Sequence, residues 1–276
     1  MSNEKKATIP SLRAIKTAGG KIRMVTAYDF AQARLVDDTE IEVILVGDSM
    51  ANAVLGYPDT MPVTMDEMLH HTKAVVRGAA RTLVIADLPF LSYQVSPEEA
   101  VRNGGAFLKA GASGVKLEGG RSLAPTVTRL VQAGIPVMGH LGLTPQRALE
   151  LGGYKVQGRS EEDARRILDD AHELEKAGAF ALVLECVPAA LAAAVSEALR
   201  IPTIGIGAGA ACDGQVLVFH DLLGLSFGPR PKFVKSYLNG AELAREALGR
   251  YAREVAEGAY PDEKHTYGET GKPAKQ

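Results

Sequence analysis

Three carboxylates stand where short apolar runs stop: Asp48 after Glu42-Val-Ile-Leu-Val-Gly, Asp87 after Leu83-Val-Ile-Ala, and Glu118 after Gly114-Val-Lys-Leu. Apolar β-branched runs of this length form buried strands, so a charge closing each run falls at the carboxyl-terminal edge of a parallel sheet. Active sites of α/β barrels collect at that edge. Three acids meeting there repel one another unless a hard cation holds them, and oxygen ligands from separate strands suit Mg²⁺. Asp48, Asp87 and Glu118 are therefore candidate ligands of a divalent metal, against the plainer role of capping the helices that follow.

Lys116 lies two positions before Glu118, so on a strand both side chains share a face. If that face is the barrel interior, the ammonium stands beside the metal and can hold a carboxylate or an oxyanion. A solvated surface lysine is awkward between Val115 and Leu117. Glu185 closes the otherwise apolar run Phe180-Ala-Leu-Val-Leu. Such surroundings penalise the charged form and suit it to taking a proton near neutral pH as a general base, the alternative being a salt-bridged strand-end glutamate. Ser49 offers a hydroxyl and an N–H at a helix-leading turn, for a carboxylate or for capping. His140, in Gly139-His-Leu-Gly142, either faces the pocket as a neutral hydrogen-bond donor or lies satisfied in the core. Gly205-Ile-Gly-Ala-Gly209 is like the glycine-rich turn after strand seven that often cradles phosphate in barrels, but it has neither Rossmann nor Walker spacing. His70 and His71 fall inside a helix and read as packing or surface residues.

The elements that position these groups alternate in kind. Strand signals are expected at 21–26, up to Asp48, 83–86, 114–117, 135–140, 180–185, 201–207 and 215–220. Helix signals lie between them, at 30–36, 64–77 with Thr64 and Glu67 in capping-box positions, from Ser96-Pro97, and at 123–133, 160–176 and 189–199. A long loop is expected after Asp48. Eight strands alternating with helices predict a closed (β/α)₈ TIM barrel in a single domain rather than an open doubly wound sheet. The expected layout is a lead-in over 1–20, the barrel over 21–240, and a helix with a polar tail over 241–276.

The 276 residues match the ~250 of one such barrel. A net charge of −2, 5% aromatics and no Trp exclude a basic nucleic-acid surface, so a small-molecule partner is expected. The two cysteines, Cys186 and Cys212, lack metal spacing and disulfide density, which points to reduced thiols and the cytoplasm. The polar opening, Met1-Ser-Asn-Glu-Lys-Lys, leads into no apolar signal core. The longest apolar stretch, 180–195, contains Glu185 and Pro188 and is short of the ~20 residues a membrane span needs.

Taken together, Val46-Gly-Asp-Ser49, Ala86-Asp-Leu-Pro-Phe90, Val115-Lys-Leu-Glu-Gly-Gly120, Gly139-His-Leu-Gly-Leu-Thr-Pro-Gln146, Gly152-Gly-Tyr-Lys-Val-Gln-Gly158, Leu184-Glu-Cys-Val-Pro188 and Ile204-Gly-Ile-Gly-Ala-Gly209 closely resemble the ketopantoate hydroxymethyltransferase family. The likeness runs over about 21–237. It implies a barrel of the phosphoenolpyruvate mutase/isocitrate lyase kind that moves a hydroxymethyl group from 5,10-methylenetetrahydrofolate to 3-methyl-2-oxobutanoate. The product is 2-dehydropantoate, made through a Mg²⁺-stabilised enolate in the first committed step of pantothenate synthesis. By the same resemblance Asp48, Asp87 and Glu118 hold Mg²⁺, Glu118 partly through water. Asp48, Ser49, Asp87 and Lys116 bind the 2-oxo acid, and Glu185 accepts the proton. The resemblance also implies a cytoplasmic homo-oligomer, usually a decamer; the folate glutamate tail needs donors, and Gly205–Gly209 is a candidate for part of its surroundings.

Two other readings stand beside this one. The first is a Mg²⁺-dependent lyase or mutase acting on a 2-oxo acid, which a reactive cysteine in the loop after the fourth strand would favour; that segment is Gly-Gly-Arg-Ser. The second is a non-catalytic metabolite-binding barrel, which loss of the acids would favour.

Overall fold

Period-two alternation builds the barrel interior. The computed structural model describes residues 6–150, 152–228 and 230–267. Its strands are β1 (Ile22–Thr26), β2 (Val43–Val46), β3 (Leu83–Asp87), β4 (Gly114–Lys116), β5 (Val137–Gly142), β6 (Ala181–Glu185), β7 (Thr203–Ile206) and β8 (Gly214–Leu217). They pair in parallel in chain order and close, β8 returning to β1 with Ile22 opposite Gly214 and Val25 opposite Leu217. Ile22, Met24, Val43, Leu45, Leu83, Ile85, Met138, Ala181, Val183, Ile204 and Val216 form one buried cluster. On each strand its members are two residues apart, so they line the inside.

The helices are α1 (Ile9–Thr17), α2 (Phe30–Asp37), α3 (Met50–Ala53), α4 (Met65–Gly78), α5 (Pro97–Lys109), α6 (Ala124–Gln132), α7 (Glu161–Lys176), α8 (Ala189–Ala198), α9 (Phe219–Leu222) and α10 (Gly240–Ala256). Thr64 caps α4 in a reciprocal box with Glu67, and Ser96 caps α5 with Pro97 in its first turn, as their spacing predicts. Leu12 of α1 joins the barrel core, and Lys16 at its end donates from Nζ to Ser196 O (2.9 Å), Ile201 O (3.0 Å) and Asp213 Oδ2 (2.8 Å). The first helix is thereby fastened to the segments around β7 and β8.

Several boundaries differ from the sequence expectation. β5 starts at Val137 and runs on to Gly142; Pro136 has no N–H to donate to the ladder, although its carbonyl accepts from Val115 N. β8 ends at Leu217 rather than at His220, because Phe219 N bonds to Thr26 Oγ1 at 2.9 Å and the chain turns into α9. The expected loop after Asp48 begins with α3, seeded by Met50 and Ala51 N–H groups reaching the Gly47 and Asp48 carbonyls.

The chain divides into two compact units. One holds the barrel, through Phe219, together with Pro231–Val234. The other holds His220–Arg230 and the described residues from Lys235 on, including α10, whose start is tied by Gly240 N to Leu223 O. The ends of the expected lead-in and tail, 1–5 and 268–276, lie outside the described residues. Among the described residues no helix is long and apolar enough to cross a membrane.

Candidate active site

Register sets the order of charges on the rim. Asp87 pairs with Lys116, Lys116 with Met138, His140 with Val183, and Gly142 with Glu185. Asp87 therefore continues the inward series Leu83–Ile85, Glu118 extends the series from Lys116, His140 follows Met138, and Glu185 follows Val183. Four of the sequence candidates thus sit on one inner layer at the carboxyl ends of β3 to β6, with Glu118 just past β4. Asp48 joins them from the turn after β2, where its backbone N–H donates to Asp87 Oδ2 at 3.0 Å.

Lys116 is the hub. Its side chain is 4% exposed, with Nζ 3.3 Å from Asp87 Oδ1 and 3.6 Å from Glu118 Oε1. Nζ is also 3.1 Å from His140 Nδ1, whose ring places Nε2 3.3 Å from Glu185 Oε2, out of line for a hydrogen bond. Ser49 Oγ is 2.8 Å from the buried Tyr28 hydroxyl, and it makes no side-chain cap to α3.

The electrostatics follow from burying three acids around one lysine. Burial, then the charges of Glu118 and Asp87, push the Asp48 carboxyl well above the usual carboxylate range. Burial raises Asp87 too, although Lys116 and the Asp48 N–H oppose it. Glu118 is held low: burial works against its charge, but Lys116 and His140 outweigh it. Burial likewise disfavours the Lys116 ammonium, and Asp87, Glu118 and Asp48 more than restore it.

Two demands meet at His140. Burial and Lys116 press its pKa down, while Glu118 and Glu185 pull harder and lift it to about 9. Two nitrogens 3.1 Å apart cannot both donate, so beside the Lys116 ammonium Nδ1 accepts only when the ring is neutral and its proton sits on Nε2.

Whether these residues suit a dication can be judged from how their oxygens are used. In each acid one oxygen is tied to a neutral N–H: Asp48 Oδ2 to Gln146 Nε2 (2.9 Å), Asp87 Oδ2 to Asp48 N (3.0 Å), and Glu118 Oε2 to Gln146 N (3.0 Å). Of the second oxygens, Asp87 Oδ1 is buried with no hydrogen-bond partner, and Glu118 Oε1 faces only Lys116 and His140. Three acids against one lysine leave room for two positive charges, and an all-oxygen donor set fits Mg²⁺. Among the described residues no three His, Cys, Asp or Glu side chains are drawn together closely enough to hold a metal as they stand, since Lys116 sits between Asp87 and Glu118.

Two further expectations change. Glu185 is not engulfed by apolar groups: 16% of its side chain stays exposed and it faces His140. The turn at Gly205–Gly209 is no open phosphate cradle at Gly207, because the Phe233 ring lies 2.7 Å from where a Cβ would stand. The residues that sequence reasoning passed over are Tyr28, Tyr93 and Gln146, all buried against the acids or Ser49. Gln146 had one signal, its place directly after Pro145 in the loop that leaves β5.

The closed parallel barrel is a fold shared with solved members of the phosphoenolpyruvate mutase/isocitrate lyase superfamily. The chain is similar in fold to 2,3-dimethylmalate lyase, a member of that superfamily, at 18% identity and a TM-score of 0.57 over 94% of this chain and 91% of that one. It is also similar to phosphonopyruvate hydrolase in complex with oxalate and Mg²⁺, at 15% identity and a TM-score of 0.60 over 94% and 93%. Sequence narrows the class: the ketopantoate hydroxymethyltransferase pattern matches residues 6–263. The 3-methyl-2-oxobutanoate hydroxymethyltransferase of Heliobacterium modesticaldum is 58% identical over 265 residues, 96% of each chain. This chain belongs to the ketopantoate hydroxymethyltransferase family.

Proposed function

We infer that the rim around Lys116 is where this chain transfers a hydroxymethyl group from 5,10-methylenetetrahydrofolate to 3-methyl-2-oxobutanoate, giving 2-dehydropantoate for pantothenate synthesis. The observation that carries the reading is the ammonium held between Asp87 Oδ1 and Glu118 Oε1, with His140 joining it to Glu185. Asp48, Asp87 and Glu118 would hold Mg²⁺. When bound, that ion supplies Lewis-acid stabilisation of negative charge on the oxo acid.

The protein's own groups do the rest. Lys116, together with Ser49 and the Asp48 and Asp87 side of the pocket, binds and orients the 2-oxo acid. Lys116 offsets the charge that grows on the keto oxygen as the C3–H bond breaks. Glu185 takes that proton, with His140 Nε2 3.3 Å from its Oε2. The C3 electron pair then forms a bond to the one-carbon unit, the carbon–nitrogen bonds to folate break, and water supplies the hydroxyl oxygen.

The chain is proposed to act in the cytoplasm as a homo-oligomer, a decamer by family likeness. Support for self-association comes from α10, where Leu248, Tyr251 and Val255 are exposed at helical spacing. Product formation tests the function: 2-dehydropantoate should appear only with both methylenetetrahydrofolate and Mg²⁺, and be lost with a chelator. A turnover indifferent to either would refute it.

A further inference from the structure

We propose that Gln146 is a positioning residue that sets Asp48 and Glu118 in register for the metal, and that Tyr93 locks it. The proposal rests on the reading of those two carboxylates as Mg²⁺ ligands. Gln146 is 3% exposed and serves both acids at once. Its side-chain Nε2 donates to Asp48 Oδ2 at 2.9 Å and to Leu88 O at 3.0 Å, and its backbone N donates to Glu118 Oε2 at 3.0 Å. Asp48 leaves β2 and Glu118 leaves β4, so one residue from the loop after β5 spans the turns of three strands.

The amide has only one workable orientation. Its NH₂ faces a carboxylate and a carbonyl, both acceptors, so Oε1 must face donors. Tyr93 OH, 2.7 Å away, is such a donor, and Gln94 Nε2 at 3.3 Å is a second. Tyr93 has one hydroxyl proton, and Gln146 Oε1 is nearer than Glu118 O at 3.1 Å, so the proton goes to Gln146. The same hydroxyl oxygen accepts from Glu118 N at 3.2 Å. Glu118 is therefore gripped at its backbone by Tyr93 and at its carboxylate by Gln146.

Each grip consumes one oxygen and leaves the other. With Asp48 Oδ2 and Glu118 Oε2 spoken for, the oxygens left to a cation are Asp48 Oδ1 and Glu118 Oε1. Without the bridge both carboxylates are free to rotate, and the cation must then order them as it binds. The consequence is in metal affinity rather than in the chemical step.

The test compares Mg²⁺ binding, by titration calorimetry with the 2-oxo acid present, for the wild-type protein, Gln146→Met and Tyr93→Phe. Methionine keeps the side-chain volume and removes the amide. The expected result is a Mg²⁺ Kd raised about 10- to 100-fold in Gln146→Met, and at least about threefold in Tyr93→Phe, the effect of losing one neutral hydrogen bond. The apparent Mg²⁺ activation constant should rise in parallel, and the lost turnover should return in large part as Mg²⁺ is raised. A merely structural role would lower the active fraction at every Mg²⁺ concentration and leave the Kd in place.

A folded Gln146→Met protein whose Mg²⁺ Kd is within about threefold of wild type overturns the proposal. If that variant fails to fold, Tyr93→Phe decides on the same threshold, since it removes one hydroxyl only. Wild-type protein that binds no Mg²⁺ at all removes the metal reading, and the proposal falls with it. Wild-type binding with unchanged variants removes the proposal alone.

Discussion

Replacing Lys116 with methionine keeps most of the side-chain stem and deletes the one ammonium among three buried acids. Its Nζ stands 3.3 Å from Asp87 Oδ1 and 3.6 Å from Glu118 Oε1. At an effective dielectric of about 20 each contact is worth roughly 5 kcal/mol. Returning the ammonium's own desolvation cost, several kcal/mol, leaves a net loss of about 3–5 kcal/mol, as is usual when one partner of a buried pair is removed. At ~2–4 °C per kcal/mol this is a fall in Tm of about 6–20 °C, read by circular dichroism without metal or substrate.

The pH dependence gives a second check. In the wild type Lys116 helps hold Glu118 below the usual carboxylate range and opposes the rise at Asp87. In Lys116→Met those carboxyls move up, so the folded variant binds protons more tightly than its unfolded chain. A folded-state pKa raised in this way makes the penalty largest at high pH and lets it fade as pH drops toward the unfolded carboxylate values near ~4. The deficit against wild type should be larger at pH 8 than at pH 5. A deficit below about 1 kcal/mol, or one that grows on acidification, would refute the charge assignment.

Glu185→Gln should retain Mg²⁺ and oxo-acid binding yet lose exchange of the C3 proton in D₂O, followed by NMR; exchange at the wild-type rate removes Glu185 as the base. Gly142→Ala should lower stability by about 2–4 kcal/mol in thermal melts, because φ is 94° and a Cβ would lie 2.2 Å from the Glu185 carbonyl oxygen; a loss under 1 kcal/mol contradicts that contact. Asp37 accepts from Ala80 N, Arg81 N, Thr82 N and Thr82 Oγ1, and although burial opposes it these donors hold its pKa low. Its stabilisation is therefore present above the unfolded value and lost as pH falls through the folded one, so Asp37→Ala should cost about 1–3 kcal/mol at pH 7 and much less near pH 3 in urea melts. An equal cost at both pH values counts against it.

What could be read from the chain was what period two encodes. Asp87, Lys116, Glu118 and Glu185 extend apolar runs by even steps, so both their face and their shared rim follow from spacing. Helix starts at Thr64 and Ser96 were legible because a cap is a local hydrogen bond. Gln146 was not, since its partner Asp48 is 98 positions away and polar loop residues carry no periodic signal. Tyr93 is hidden in the same way, 53 positions from Gln146. The start of β5 and the end of β8 were misplaced for other reasons: Pro136 has no N–H for the ladder, and a threonine hydroxyl from β1 takes the Phe219 N–H.

The fastening of Lys16 carries a consequence for how the chain comes into being. Its three oxygen acceptors lie 180 to 197 positions downstream, so during synthesis the first helix emerges long before anything exists for its ammonium to grip. Until then Leu12 has only part of its hydrophobic setting, and the ring of strands stays open between its first and last members. Assembly of this barrel is in that sense a late event, completed when the ribosome has released Asp213 and the Lys16 ammonium can be clasped by residues of the last strands.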